Sequence, residues 1–102
     1  MPNEPIYRYD VSVLLTASGL HGEMSAQGII RDIKYRNPVF EGQEVGVPDK
    51  DTGEYVPIGI VKQVRHQGSN TADEGLSTLI IEENLSPSNF EDRAERVKQY
   101  FS

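Results

Sequence analysis

Residues 6–16 alternate cleanly between apolar and polar: Tyr7, Tyr9, Val11, Val13 and Leu15 fall on one face, with Arg8, Asp10, Ser12 and Thr16 on the other. A period of two over this length predicts a half-buried β-strand. Ile6 and Leu14 interrupt its polar face and call for extra cover there. Residues 17–23 place Gly19 and Gly22 among polar neighbours and predict a hairpin loop, because glycine takes positive φ without steric cost. A second strand is predicted over residues 24–36, with Ile29, Ile33 and Tyr35 on one face and Ile30, Asp32 and Lys34 on the other. Gly28 disfavours the competing helix by about 1 kcal/mol. Asn37-Pro38 ends the element, since the residue before proline is pushed out of the helical region.

Gly42 marks a turn leading into a short strand that directs Val45 and Val47 to the core, and Pro48 confines that strand to an edge or an exit. Residues 49–54 form a polar tip with Asp and Gly where tight turns want them. The densest apolar, β-branched material lies in residues 55–83. There a single strand over residues 55–66 is predicted to carry Val56, Ile58, Ile60 and Val64 on one face and Val61, Gln63 and Arg65 on the other. A polar loop over residues 67–75 follows, and residues 76–83 pair back to complete a hairpin. The continuous Leu79-Ile80-Ile81 centre implies cover on both faces. One helix closes the chain, with Ser88 as N-cap, Glu91 completing a capping box and Pro87 just ahead. Phe90, Ala94, Val97 and Phe101 form its packing stripe over the hairpin, and Asp92 and Arg96 form one (i, i+4) pair. The predicted fold is mainly β (α+β): a small antiparallel β-barrel or sandwich of about five to six strands with one C-terminal α-helix packed on it.

Composition adds limits. A chain of 102 residues fits a single domain over residues 1–102, able to bury roughly 60–70% of its unfolded surface. An apolar fraction of 36% implies a modest core, and with no cysteine there is no disulfide to reinforce it, so self-association is the expected supplement. The absence of cysteine also fits a reducing compartment. Neither a basic-then-apolar leader nor a run of eighteen apolar residues is present, so the expectation is a cytoplasmic (host-cell) or virion protein without signal peptide or membrane contact. A formal net charge of -6 argues against nucleic acid as a partner.

No motif for phosphate binding, nucleophilic catalysis or zinc binding occurs. His66 ends a strand with no second histidine or cysteine at ligand spacing, and His21 sits in a glycine-flanked loop. Asp49, Asp51 and Gly53 fail the register of a calcium loop. Glu82 and Glu83 are neighbours on a strand and so point to opposite faces, and Asp73-Glu74 lies in a loop. The chain is therefore expected to be no enzyme and to take no cofactor, metal or small-molecule substrate. A basic stripe of Arg31, Lys34, Arg36, Lys62 and Arg65, with Tyr7, Tyr9 and Tyr35 as stacking faces, would serve an OB-like single-strand binder if it were continuous and exposed. The tyrosines are expected in the core instead.

Phe40, Gly42, Val45, Val61, Val64, His66, Gly75, Thr78 and Leu79 follow a pattern in which a turn glycine leads to a Val-x-x-Val-x-His strand, a loop and a Thr-Leu strand. Over residues 39–81 this resembles the small β-barrel segment of phage tail-hub or late-control proteins. The resemblance implies a non-enzymatic structural or assembly protein, a tail or virion component acting through protein–protein contacts, chiefly with copies of itself. A small acidic inhibitor that occupies a basic partner protein is the alternative from another class. In either case the contacts are expected from the two polar tips, through Asp49, Lys50 and Asp51 in one and Ser69, Asn70, Thr71 and Asp73 in the other.

Overall fold

A computed structural model describes residues 7–19, 22–66 and 76–101. In chain order they form β1 (Tyr7–Gly19), β2 (Gly22–Tyr35), β3 (Glu44–Pro48), β4 (Tyr55–Ile60), β5 (Gln63–His66), β6 (Leu76–Leu85) and α1 (Pro87–Lys98). The protein is thus mainly β, with six strands and one C-terminal helix among the described residues, as the alternation predicts. The strands make one four-stranded sheet in the order β2-β1-β6-β5 and a separate ribbon, β3-β4. Both sheets are open among the described residues, and the pairing is mixed: β1 runs parallel to β6 and antiparallel to β2. An all-antiparallel arrangement fails because the chain leaves β2, builds the ribbon, and returns to the other side of β1.

One apolar cluster joins the layers. Val11, Val13 and Leu15 of β1 and Leu79 and Ile81 of β6 are completely buried. They face Val45, Val47 and Ile58 of the ribbon and Phe90, Ala94 and Val97 of the helix across the same core. Phe101, the fourth residue of the predicted stripe, is half-buried, with its ring so close over Gly28 that a Cβ there would collide with it. The outer face of the sheet is wetter. Ser12, Leu14 and Ile80 are half-buried, so the apolar run at residues 79–81 is covered on one face and not on both.

Several local expectations change. β1 and β2 run on to Gly19 and Gly22, which pair with each other, so the expected loop over residues 17–23 is mostly strand. β2 carries a bulge: Tyr9 pairs with Ile33 and Val11 with Ile30, leaving two residues of β2 opposite Asp10. One of the two, Asp32, sits at φ 54. Its N–H donates to the Asp10 carboxylate at 2.9 Å, and its own carboxylate accepts from Arg8 Nε at 2.7 Å. The bulge flips the phase, so Ile30 and Ile33 both point inward and Ile29 is exposed.

Residues 55–66 are not one strand. A bulge in β4 sets Val45 opposite Gly59 but Gly46 opposite Pro57, which turns Gly59 and Val61 inward and Ile60 outward. The chain then bends, and β5 joins the other sheet beside β6. Only the β5 half of the expected hairpin therefore exists, and the helix lies across β1 and β2 instead of the hairpin. Its N-cap is Ser86, with Pro87 inside the first turn, and no side chain caps it, so the Ser88–Glu91 box does not form. Proline suits that first turn because its missing N–H has no intrahelical partner to lose.

Candidate interaction surface

The tip over residues 49–54 is built on Asp49. Its Oδ1 accepts the backbone N–H of Asp51 at 2.8 Å and of Thr52 at 3.2 Å, an Asx-type turn, and Gly53 takes φ 75 to close the loop. These two N–H groups hold the Asp49 carboxyl below the usual carboxylate range. Tyr100 OH reaches the other oxygen at 3.5 Å, tying the tip to the end of the helix. Partial desolvation and the Asp49 charge push the Tyr100 phenol up. Asp49 is consequently a structural residue of its own loop, while Lys50 and Asp51 are exposed. Ser69, Asn70, Thr71 and Asp73 lie outside the described residues, as do His21 and the Asp73-Glu74 pair. His66 is the last residue of β5, with its backbone opposite Ser77.

The carboxylates of β6 separate as neighbouring strand residues must. Glu82 points outward to Lys62 at 3.0 Å, and Glu83 points inward to Arg93. Arg93 makes a bidentate pair with Glu83, Nε to Oε1 at 3.0 Å and Nη2 to Oε2 at 2.8 Å, and also donates to the Ile58 carbonyl. The carboxylate holds the guanidinium above its ordinary pKa. One side chain thereby fastens the helix to both sheets, a role the helical stripe alone gave no sign of. Among the described residues no three His, Cys, Asp or Glu side chains gather as a metal site.

The basic residues do not form one stripe. Arg31 and Lys34 lie on β2 and Arg65 on β5, the two opposite edges of the sheet, about 14 Å apart at the usual strand spacing. Arg36 follows β2, and Lys62 lies between β4 and β5, engaged by Glu82. The tyrosines are packed. Tyr9 is buried and accepts the Val39 N–H at 3.1 Å, and its ring lies 5.8 Å from that of Tyr35. Tyr35 donates to the Gly46 carbonyl at 2.7 Å and meets Tyr55 edge-on at 5.9 Å. Burial, followed by the neighbouring Tyr55 and Tyr9, pushes the Tyr35 phenol well above its ordinary range. Tyr7 is half-buried against the same core.

Among the described residues, four large apolar or aromatic side chains also stand in solvent. Phe40 is 61% exposed, Ile60 58%, Tyr55 50% and Ile29 37%. The first two are fixed by a single hydrogen-bonded corner. Phe40 N–H donates to Gln43 Oε1 at 2.7 Å, Gly42 N–H to the Val61 carbonyl at 2.8 Å, and Val61 N–H to the Gln43 carbonyl at 2.9 Å. With the backbone of the corner so held, both Phe40 and Ile60 stand in solvent. The one-residue phase shift at each bulge hid Ile29 and Ile60 from sequence reading. Phe40 was legible only as part of a turn.

The chain matches no protein-family model, no curated protein and no solved structure. No helix among the described residues is long and apolar enough to cross a membrane.

Proposed function

We propose that this protein is a non-enzymatic structural subunit that works by self-association, of the kind the pattern over residues 39–81 implies for a phage tail or virion component. The observation that carries the reading is the pair of large apolar side chains, Phe40 and Ile60, held in solvent by a backbone-bonded corner. A side chain that merely fails to be covered costs little at a flexible tip; one carried on backbone that is already hydrogen-bonded into a corner leaves less backbone entropy to be lost on contact. Open sheet edges add to the support, since unpaired N–H and C=O rows favour association with further strands.

Sedimentation velocity from low micromolar to near-millimolar protein tests this. The expected result is a concentration-dependent rise in mass, weakened in Phe40→Ser and Ile60→Ser, with electron microscopy showing a defined assembly at the upper end. A single monomeric species across the range overturns the reading.

A further inference from the structure

The self-association proposed above, on which this inference rests, uses the Phe40–Ile60 corner; β2 supplies a second and separate contact between copies. It is the one long edge among the described strands, fourteen residues against four for β5 at the other side of the sheet. The ribbon strands are short and carry Pro48 and Pro57. Natural proteins blunt long edges with charge, proline or bulges. In β2 these devices concentrate at one end, as Arg31, the bulge at Asp32 and Lys34, while the other end carries Glu23 alone. From Gly22 to Ile30 the strand reads Gly-Glu-Met-Ser-Ala-Gln-Gly-Ile-Ile, with a single charge, no proline and no break in register against β1.

We infer that β2 pairs antiparallel with β2 of a second copy of this chain, about a two-fold axis at Gln27, so that Glu23 of each copy meets Arg31 of the other. Gln27 stands at the middle of the straight run between the hairpin end at Gly22 and the bulge at Asp32. In an antiparallel pair, opposed residues share a face, and this register sorts both faces. On the outer face Glu23 opposes the partner's Arg31 and Ser25 the partner's Ile29; all four positions are exposed in one chain. On the inner face Met24 opposes the partner's Ile30 and Ala26 the partner's Gly28, extending the apolar side of the sheet. Shifting the centre to Ala26 opposes Glu23 to the partner's Ile29, and shifting it to Gly28 opposes it to the partner's Ile33. Only the Gln27 centre matches charge with charge, and it does so twice by symmetry. The nine opposed residues on each strand would exchange about eight or ten backbone hydrogen bonds, ending where the bulge makes further pairing impossible.

Charge reversal tests the register. Within one chain Glu23 and Arg31 stand eight residues apart on one strand, about 26 Å, so any coupling between them passes through a partner. Glu23→Arg and Arg31→Glu are each expected to weaken assembly by at least about tenfold, since each sets like charges opposite one another twice per dimer. Mixing the two variants restores it, because every interface pair is then opposite in sign, and the double variant E23R/R31E restores it in a single chain. Circular dichroism of each variant confirms that these exposed substitutions leave the fold intact. If the wild type assembles and neither single reversal weakens it, or if neither the mixture nor the double variant recovers it, the β2 register is overturned while self-association stands. A wild type that stays monomeric overturns both.

Discussion

Arg93 is the place where a single side chain bears most visibly on the architecture. It links α1 to β6 through Glu83 and to β4 through the Ile58 carbonyl, so both sheets and the helix meet at one guanidinium. Exposed ion pairs are worth about 0.2–1 kcal/mol, while breaking a fully buried one costs about 3–5 kcal/mol. Here both side chains are 26% exposed, so solvent screens the pair only in part, and a third hydrogen bond is lost with it. Arg93→Met, which keeps the aliphatic stem, should therefore destabilise the fold by about 2 kcal/mol, equivalent to a fall of about 10 °C in Tm for a domain of this size. Urea unfolding of Arg93→Met, Glu83→Gln and the double variant should give a coupling energy of about 1–1.5 kcal/mol. The exposed Asp92–Arg96 pair, at 3.4 Å with side chains 71% and 73% exposed, supplies the control and should couple within error of zero. A Glu83–Arg93 coupling as small as the control's would refute the claim that this contact fastens the layers.

Tyr35→Phe should cost about 1 kcal/mol by leaving the Gly46 carbonyl without its donor, and it should also change the alkaline limb of stability. Because burial holds the native phenol above its unfolded value, the contribution is complete below about pH 10 and is lost as pH rises beyond it, where the unfolded chain releases a proton that the native state keeps; a variant with the same alkaline decline in urea melts counts against this. Asp49→Ala should speed amide exchange at Asp51 and Thr52, whereas Asp49→Asn, which keeps the accepting oxygen, should not. The acid decline tied to Asp49, whose native pKa is depressed, appears as pH falls through the carboxylate range and should vanish in Asp49→Asn. Deleting Asp32 should leave a single residue of β2 opposite Asp10 and restore strict alternation with Ile30, Ile33 and Tyr35 all still facing inward, so the near-ultraviolet dichroism of the tyrosine cluster should be retained; its loss would show that the bulge itself is needed to place Tyr35.

Much of this fold is legible in the residues because its signals are local. The alternation of Tyr9, Val11, Val13 and Leu15 fixes β1 and its buried face without reference to any neighbour, and the spacing of Phe90, Ala94 and Val97 does the same for the helix. Pairing is different in kind. Nothing within residues 76–85 distinguishes a partner in β5 from a parallel partner in β1, since that choice depends on where the chain goes between them. The helix cap misleads for a related reason: Ser88 and Glu91 satisfy a local pattern, but the chain enters the helix two residues earlier, from Ser86, where proline at the next position suits the first turn. Asp49, Lys50 and Asp51 were legible as a tip, yet the inward use of the Asp49 carboxylate depends on Tyr100, fifty-one residues away in the chain.

The two isoleucines that alternation misplaces, Ile29 and Ile60, are misplaced by the same device. Each lies on a strand with one bulge, at Asp32 in β2 and next to Ile58 in β4, and each bulge flips which parity faces the core. A strand with strict alternation buries all its apolar positions of one parity and exposes the others; a bulged strand buries Ile30 with Ile33, or Ile58 with Val61, and must expose the isoleucine left in the wrong phase. Exposure of Ile29 and Ile60 is thus a consequence of the backbone and not of loose packing. Asp10 and Arg8 hold the first bulge in place, and the Gly42–Val61 and Val61–Gln43 hydrogen bonds hold the corner beyond the second. Polar contacts that make no direct interface therefore decide where the apolar surface is offered: Ile29 on the straight run of β2, and Ile60 next to the corner that Gln43 and Val61 hold.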